Sequence, residues 1–161
     1  MHNSDLYNTL LTLSRNLYFY NKIKLKDTFE TRIYLMFMHF SVILIICKKK
    51  YVNFPQITYV SLFFCIENNL RELGFGDVSV NKKMKEFNKI LYDILLKLDL
   101  DKDNSNSFKI NHNLISKYFN ELNDPKSTKF IEFKTYFNGF FYFCFELPID
   151  NMIREAINYK K

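Results

Sequence analysis

Apolar residues recur along this chain at three- and four-residue intervals, the spacing of helix faces, and no segment sustains the alternation of a strand. Leu6, Leu10, Leu13 and Leu17 are spaced 4, 3, 4 and predict an amphipathic helix over about 4–20, with Asn3 or Ser4 as its cap. Asp27 followed by Glu30 reads as a capping box that opens a second helix. From Ile33 to Cys47 only His39 and Ser41 interrupt the apolar run, so this helix is expected at the centre of a bundle, buried on most sides. A third helix starts near Asn53–Pro55, where proline is tolerated in the first turn. Ile57, Val60, Phe64 and Leu70 mark its expected core side, widened by Phe63 and Leu73. Gly74 is its expected left-handed cap, with Phe75 as apolar companion, and Asp77 or Ser79 caps the next helix.

The fourth helix has the clearest period. Val80, Met84, Phe87, Leu91, Ile94 and Leu98 are spaced 4, 3, 4, 3, 4, a packing seam. Its outer face carries Lys82, Lys83, Lys85, Lys89 and Lys97, interleaved with Glu86 and Asp93. Residues 99–109 are a polar connector. A fifth helix covers about 110–122, with Ile110, Leu114, Tyr118 and Leu122 in register, and Asp124–Pro125 breaks it. A sixth, crowded with phenylalanine, covers about 127–146; Pro148 ends it and a short tail helix covers about 149–159. The expectation is an all-α, single-domain bundle of six or seven helices across residues 1–161.

Composition changes this picture in three places. With 3 Gly and 3 Pro in 161 residues, turns are scarce, which argues against a turn-rich sandwich or barrel. The wealth of Phe, Tyr, Ile, Asn and Lys, with 19 Lys against 4 Arg, has the bias of an AT-rich genome, so lysine content alone is weak evidence of purpose. The net charge of +6 is uneven: residues 1–50 carry +5, residues 51–100 carry none, and the excess gathers at Lys22, Lys24, Lys26 and at Lys48, Lys49, Lys50. Such clusters attract RNA, a ribosomal surface or anionic lipid; they also serve as a solvated rim around an apolar helix. The 33–47 run reaches about 22 Å at ~1.5 Å per residue, short of a full bilayer crossing, which leaves a shallow membrane contact as the alternative to a core helix. No secretory signal is expected, since the first leucines are interleaved with polar residues. Cys47, Cys65 and Cys144 lie far apart in apolar runs, as buried free thiols do in a reducing compartment.

Little in the chain points to catalysis. Asp99, Asp101 and Asp103 open like a calcium loop, but Asn104 and Ile110 stand where that loop needs Gly and a bidentate Glu. Gly74 and Gly76 form a lone G-x-G that lacks the third glycine and the preceding strand of a dinucleotide site, and are read as a tight turn. His2, His39 and His112 have no partner at metal-binding spacing. His39, set among Phe37, Met38 and Phe40, reads as a core histidine bonded to a neighbouring helix, with partner binding as its other role. No nucleophile elbow, phosphate loop or paired-carboxylate motif is present. The reading is of a non-enzyme with no cofactor, no metal and no small-molecule substrate.

Residues 69–87, NLRELGFGDVSVNKKMKEF, resemble the signature of the ubiquinol–cytochrome c chaperone family, assembly factors of the cytochrome bc1 complex (respiratory complex III). Leu70, Arg71, Glu72, Gly74, Gly76, Asp77, Val80 and Lys82 carry the resemblance, continued by Met84 and Lys85. Upstream, Asp27-Thr28-Phe29 and the Leu35–His39 stretch are similar to the opening of the family's first core helix, and the likeness covers about 27–98. The chain departs from the family pattern at Cys65 and Glu67, in place of an acidic pair, and at Asp93, in place of a glycine. The resemblance implies a chaperone for newly made cytochrome b, with the ribosome exit region, an anionic membrane surface and a small partner subunit as further partners. It implies a place in the cytoplasm, peripheral at the inner membrane face of an AT-rich bacterium, or on the matrix side of the mitochondrial inner membrane in a eukaryote. Asp77 is expected mainly to cap, in a structural turn with Gly74 and Gly76, while Arg71, Lys82, Lys83, Lys85 and His39 are the expected partner-binding residues. The rival readings are a basic helical ribosome- or RNA-binding module, and a membrane-embedded protein anchored by 33–47.

Overall fold

The computed structural model describes residues 5–98 and 108–159. The expected cap at Asn3 or Ser4, His2 and the Asp99–Asp103 segment lie outside these. Among the described residues there are seven α-helices and no strand: α1 (Asp5–Ser14), α2 (Phe29–Lys49), α3 (Gln56–Glu72), α4 (Asp77–Leu98), α5 (His112–Tyr118), α6 (Thr128–Phe145) and α7 (Ile149–Glu155). The all-α architecture is the one expected. A single π turn (Tyr18–Lys22) and two 3-10 turns (Asn120–Leu122 and Ala156–Asn158) complete the path.

The apolar run explains the centre. Every residue of α2 from Leu35 to Cys47 except Leu44 is buried, and α1, α4 and α6 pack around the helix. Its 21 residues, with mean hydropathy 1.6 over an 18-residue stretch, are long and apolar enough to cross a membrane by length and composition; here they form the middle of the core. The cap differs from expectation by one residue. Thr28 is the N-cap, its hydroxyl accepting from Thr31 N–H at 3.1 Å, while Asp27 pairs with Arg32 at 2.7 Å.

Aromatic packing joins α2 to α6. The His39 ring lies 4.8 Å from the rings of both Phe137 and Phe140, and Phe19 meets Tyr136 at 4.6 Å, in edge-on and tilted arrangements that suit aromatic quadrupoles. Lys50 closes the far end of α6: its ammonium donates to the carbonyls of Phe145 at 2.5 Å and Leu147 at 3.1 Å, a favourable place for a cation at a helix C-terminus. One member of the 48–50 lysine cluster is therefore a structural cap. At the other side of α6, Tyr159 lies directly over Gly139 and donates its hydroxyl to the Tyr136 carbonyl at 3.0 Å.

Three expectations are corrected. The first helix ends at Ser14, because Asn16 turns the chain and accepts Tyr18 N–H at 3.0 Å; this sends Phe19 into the core and Leu17 to solvent. The fifth stops at Tyr118, and Leu122 reaches the core from a 3-10 turn. On α3 the buried side is Thr58, Ser61, Leu62, Phe63, Ile66 and Leu70, whereas Ile57, Val60, Phe64 and Leu73 are exposed. The spacing alone places Ile57, Val60 and Phe64 in the core. The helix is apolar around most of its circumference, so periodicity does not choose its face; Tyr59 stacking on Phe63, and Phe63 on Phe37 of α2, does.

The orientation of α3 has a direct test. Leu62→Ala is expected to lower stability by about 2–5 kcal/mol through a core cavity, and Val60→Ala by less than about 0.5 kcal/mol, read from urea unfolding. Gly139→Ala places a methyl group where the Tyr159 hydroxyl sits, so a loss of about 1–3 kcal/mol is expected. The same Gly139→Ala change in a Tyr159→Ala background is expected to cost much less.

Candidate interaction surface

The surface is organised by the turn between α3 and α4. Phe75 N–H bonds to the Leu70 carbonyl at 3.2 Å and Gly74 N–H to that of Arg71 at 3.0 Å, the paired bonds of a Schellman ending, with Gly74 at φ +97°. The expected left-handed cap is thus present. The Gly76 carbonyl accepts Val80 N–H at 2.9 Å, which makes Gly76 the N-cap position of α4. This corrects the capping role expected of Asp77 or Ser79. Asp77 is the first residue of the helix, and its carboxylate, stabilised by the positive helix terminus, receives the Arg71 guanidinium across the turn.

The expected partner-binding residues separate into three groups. Arg71 is engaged by Asp77 within the turn. Lys83 is half-buried: its ammonium lies 3.8 Å from Glu30 at the start of α2 and 5.8 Å from the centre of the Phe75 ring, so it ties the turn to the core helix. Lys82 and Lys85 are exposed, and with Lys89 they form a row on the outer face of α4 that has no ion-pair partner among the described residues. The row belongs to a longer outward pattern, Val78, Lys82, Lys85, Lys89, Tyr92 and Leu96, spaced 4, 3, 4, 3, 4 and exposed throughout. It mirrors the inward seam, of which Val80, Phe87, Leu91, Ile94 and Leu98 are buried.

Beside this row runs a ridge that sequence reasoning misses. Ile57, Val60 and Phe64 project from α3 with 78%, 54% and 42% of their surface exposed. Tyr59 OH donates to Asn88 Oδ1 at 3.3 Å, which fixes the antiparallel register and sets the ridge alongside the lysines. Glu67, half-buried, follows Phe64 by three residues in register with the ridge, and Glu86 lines the cavity that Tyr34 shares. Asp93 faces α5, bonded to Lys117 at 2.8 Å, to Lys97 at 3.1 Å and to the Tyr118 hydroxyl. Burial raises its pKa, but those three donors outweigh it and hold the carboxyl at about 2. Asp93 thus joins α4 to α5.

His39 is removed from any partner surface. It is fully buried, which corrects its place among the partner-binding residues. Nδ1 lies 2.6 Å from the Leu35 carbonyl, which only accepts, so Nδ1 carries the proton; Nε2 is then the bare acceptor for Tyr136 OH at 2.8 Å. Burial pushes the imidazole down to about 3, against the smaller upward pull of the Leu35 carbonyl. The thiols are equally quiet: burial raises Cys47 and Cys65 and pushes Cys144 up to about 12. No group of three or more His, Cys, Asp or Glu capable of holding a metal occurs among the described residues. Three cavities of about 350–400 Å³ open on the surface, at Lys26–Tyr34–Glu121, at Tyr34–Lys89–Tyr118 and at Tyr7–Phe29–Met36.

The neutral histidine sets a pH dependence. Below about 6.5 the unfolded chain takes up a proton that the folded chain refuses until about 3, so stability is full above that range and falls as pH drops through it, by roughly 1 kcal/mol per pH unit. Urea unfolding between pH 7 and 4.5 is expected to show this slope in the native chain, and His39→Gln is expected to flatten it while lowering stability at pH 7.

The comparisons with known proteins complete this description. A family model described as ubiquinol-cytochrome C chaperone matches residues 21–130, more than two thirds of the chain. The matched span holds α2, the α3–α4 turn, both outward rows and α5, and runs beyond the 98th residue, where the signature-based likeness stops. No curated protein and no solved structure matches the chain. With the match extending over most of the bundle, the chain belongs to the ubiquinol-cytochrome c chaperone family.

Proposed function

We propose that this protein is a non-enzymatic assembly chaperone that binds and shields newly made cytochrome b for the cytochrome bc1 complex, working as a peripheral protein at the membrane where that complex is built. The observation that carries the proposal is membership of the chaperone family, which implies a protein client. The surface supports it in physical terms. A protein that handles membrane segments needs apolar area exposed to water, and here Ile57, Val60 and Phe64 supply it on a folded helix. The lysines beside them keep such a surface soluble and steer it toward acidic partners.

The test is a crosslinked pull-down from cells, read by mass spectrometry for cytochrome b peptides, alongside deletion of the gene. Enrichment of those peptides, with assembled bc1 complex and haem b signal lowered several-fold in the deletion strain, is expected. Normal levels of both in that strain would overturn the proposal. Salt-sensitive pelleting with ribosomes that is indifferent to cytochrome b synthesis would favour a ribosome-binding module instead.

A further inference from the structure

The outer face of α3 and α4 combines features that point to a particular surface. Along α4, Lys82, Lys85 and Lys89 are exposed and without ion-pair partners among the described residues. Apolar side chains stand at both ends of that row, Val78 at one and Tyr92 and Leu96 at the other. Alongside it runs the α3 ridge of Ile57, Val60 and Phe64, and Tyr51 and Val52 are exposed in the loop just before α3. Residues 51–100 carry no net charge, so the basic character comes from placement. Arg71 neutralises Asp77, Asp93 is turned toward α5, Glu86 lines the cavity shared with Tyr34, and Glu67, half-buried one turn beyond Phe64, acts on Arg71.

We infer that this face docks on an anionic lipid bilayer, with the ridge entering the headgroup boundary and the lysines reaching the lipid phosphates. Apolar side chains on one side of a basic helix row are the pattern of interfacial membrane binding, and lysine stems snorkel from apolar surroundings to charged headgroups. The form of the face supports the same choice. It is built of two helices lying side by side, and the cavity at Tyr34–Lys89–Tyr118 borders it along α4. Rows carried by two adjacent helices can meet a plane together. Its unpaired cations are lysines, hydrated point charges that a fluid layer of phosphates can meet without fixed geometry. The inference rests on the membrane-peripheral part of the proposed function, but its test needs no cytochrome, so the two can fail separately.

The test is flotation of the purified full chain with vesicles of phosphatidylcholine alone and of phosphatidylcholine with about one third phosphatidylglycerol. Binding is expected only to the anionic vesicles, weakening as salt is raised. The triple variant Lys82→Gln, Lys85→Gln, Lys89→Gln is expected to lose on the order of 100-fold in partitioning, about fivefold per lysine. Phe64→Ser is expected to weaken binding at every salt concentration. The control is Lys22→Gln, Lys24→Gln, Lys26→Gln, which removes equal charge from another basic cluster and is expected to bind within a few-fold of the native chain. Circular dichroism and thermal melts matching the native chain establish that each variant is folded. Failure of the native chain to float, or an equal loss from both triple variants, overturns the inference. So does a face variant that floats normally while losing capture of a synthetic apolar cytochrome b segment, which would assign the face to the protein client.

Discussion

The structure depends on enclosing one helix. An uninterrupted apolar run such as 33–47 exposes several hundred Å² of hydrocarbon if left in water, at roughly 25 cal/mol per Å². α1, α4 and α6 are arranged so that almost none of it is left. His39 is the one strongly polar ring inside that run, and it makes the enclosure specific. Its two nitrogens have different partners, the Leu35 carbonyl within α2 and the Tyr136 hydroxyl on α6. Sliding or rotating α6 would strand His39 Nε2 and the Tyr136 hydroxyl unpaired in a low-dielectric core, at a cost of about 1–3 kcal/mol each. Phenylalanine alone would tolerate several packings; the hydrogen bond selects one.

Much of this is legible in the sequence, for identifiable reasons. The inner face of α4 can be read because its period is clean and its other face is charged. The Gly74 turn is legible because a left-handed residue after a helix demands glycine. α3 misleads because Ile57, Val60 and Phe64 look like a core stripe in isolation, while the true core side includes Thr58 and Ser61. What settles the matter is the aromatic contact of Phe63 with α2, a long-range fact no local pattern contains. The end of α1 is hidden for a related reason: Asn16 breaks the helix with its own side chain, a short-range competition that leucine spacing does not reveal. Of the expected partner-binding residues, Lys82 and Lys85 are at the surface and free, Lys83 and Arg71 are bound within the molecule, and His39 is inside.

The ambiguity of α3 and the outward surface are two views of one fact. A helix that is apolar on nearly all sides either lies at the centre or shows a ridge to the outside. α2 takes the first course and α3 the second. The turn locked by Gly74 and the Arg71–Asp77 pair holds α3 against α4 in fixed register, so the ridge and the lysine row stay parallel. Lys83, reaching back to Glu30, anchors that pair of helices to the start of α2.

The arrangement of α2 has a consequence for how the protein is made. α2 ends at Lys49, but α6, which completes its cover, begins only at Thr128. Translation at roughly 5–20 residues per second leaves a gap on the order of several seconds in which a segment fit to span a bilayer has left the ribosome without its full sheath. During that interval the nascent chain poses to the cell the same problem that its proposed client does, and the order in which its helices are synthesised makes the last long one the closing step.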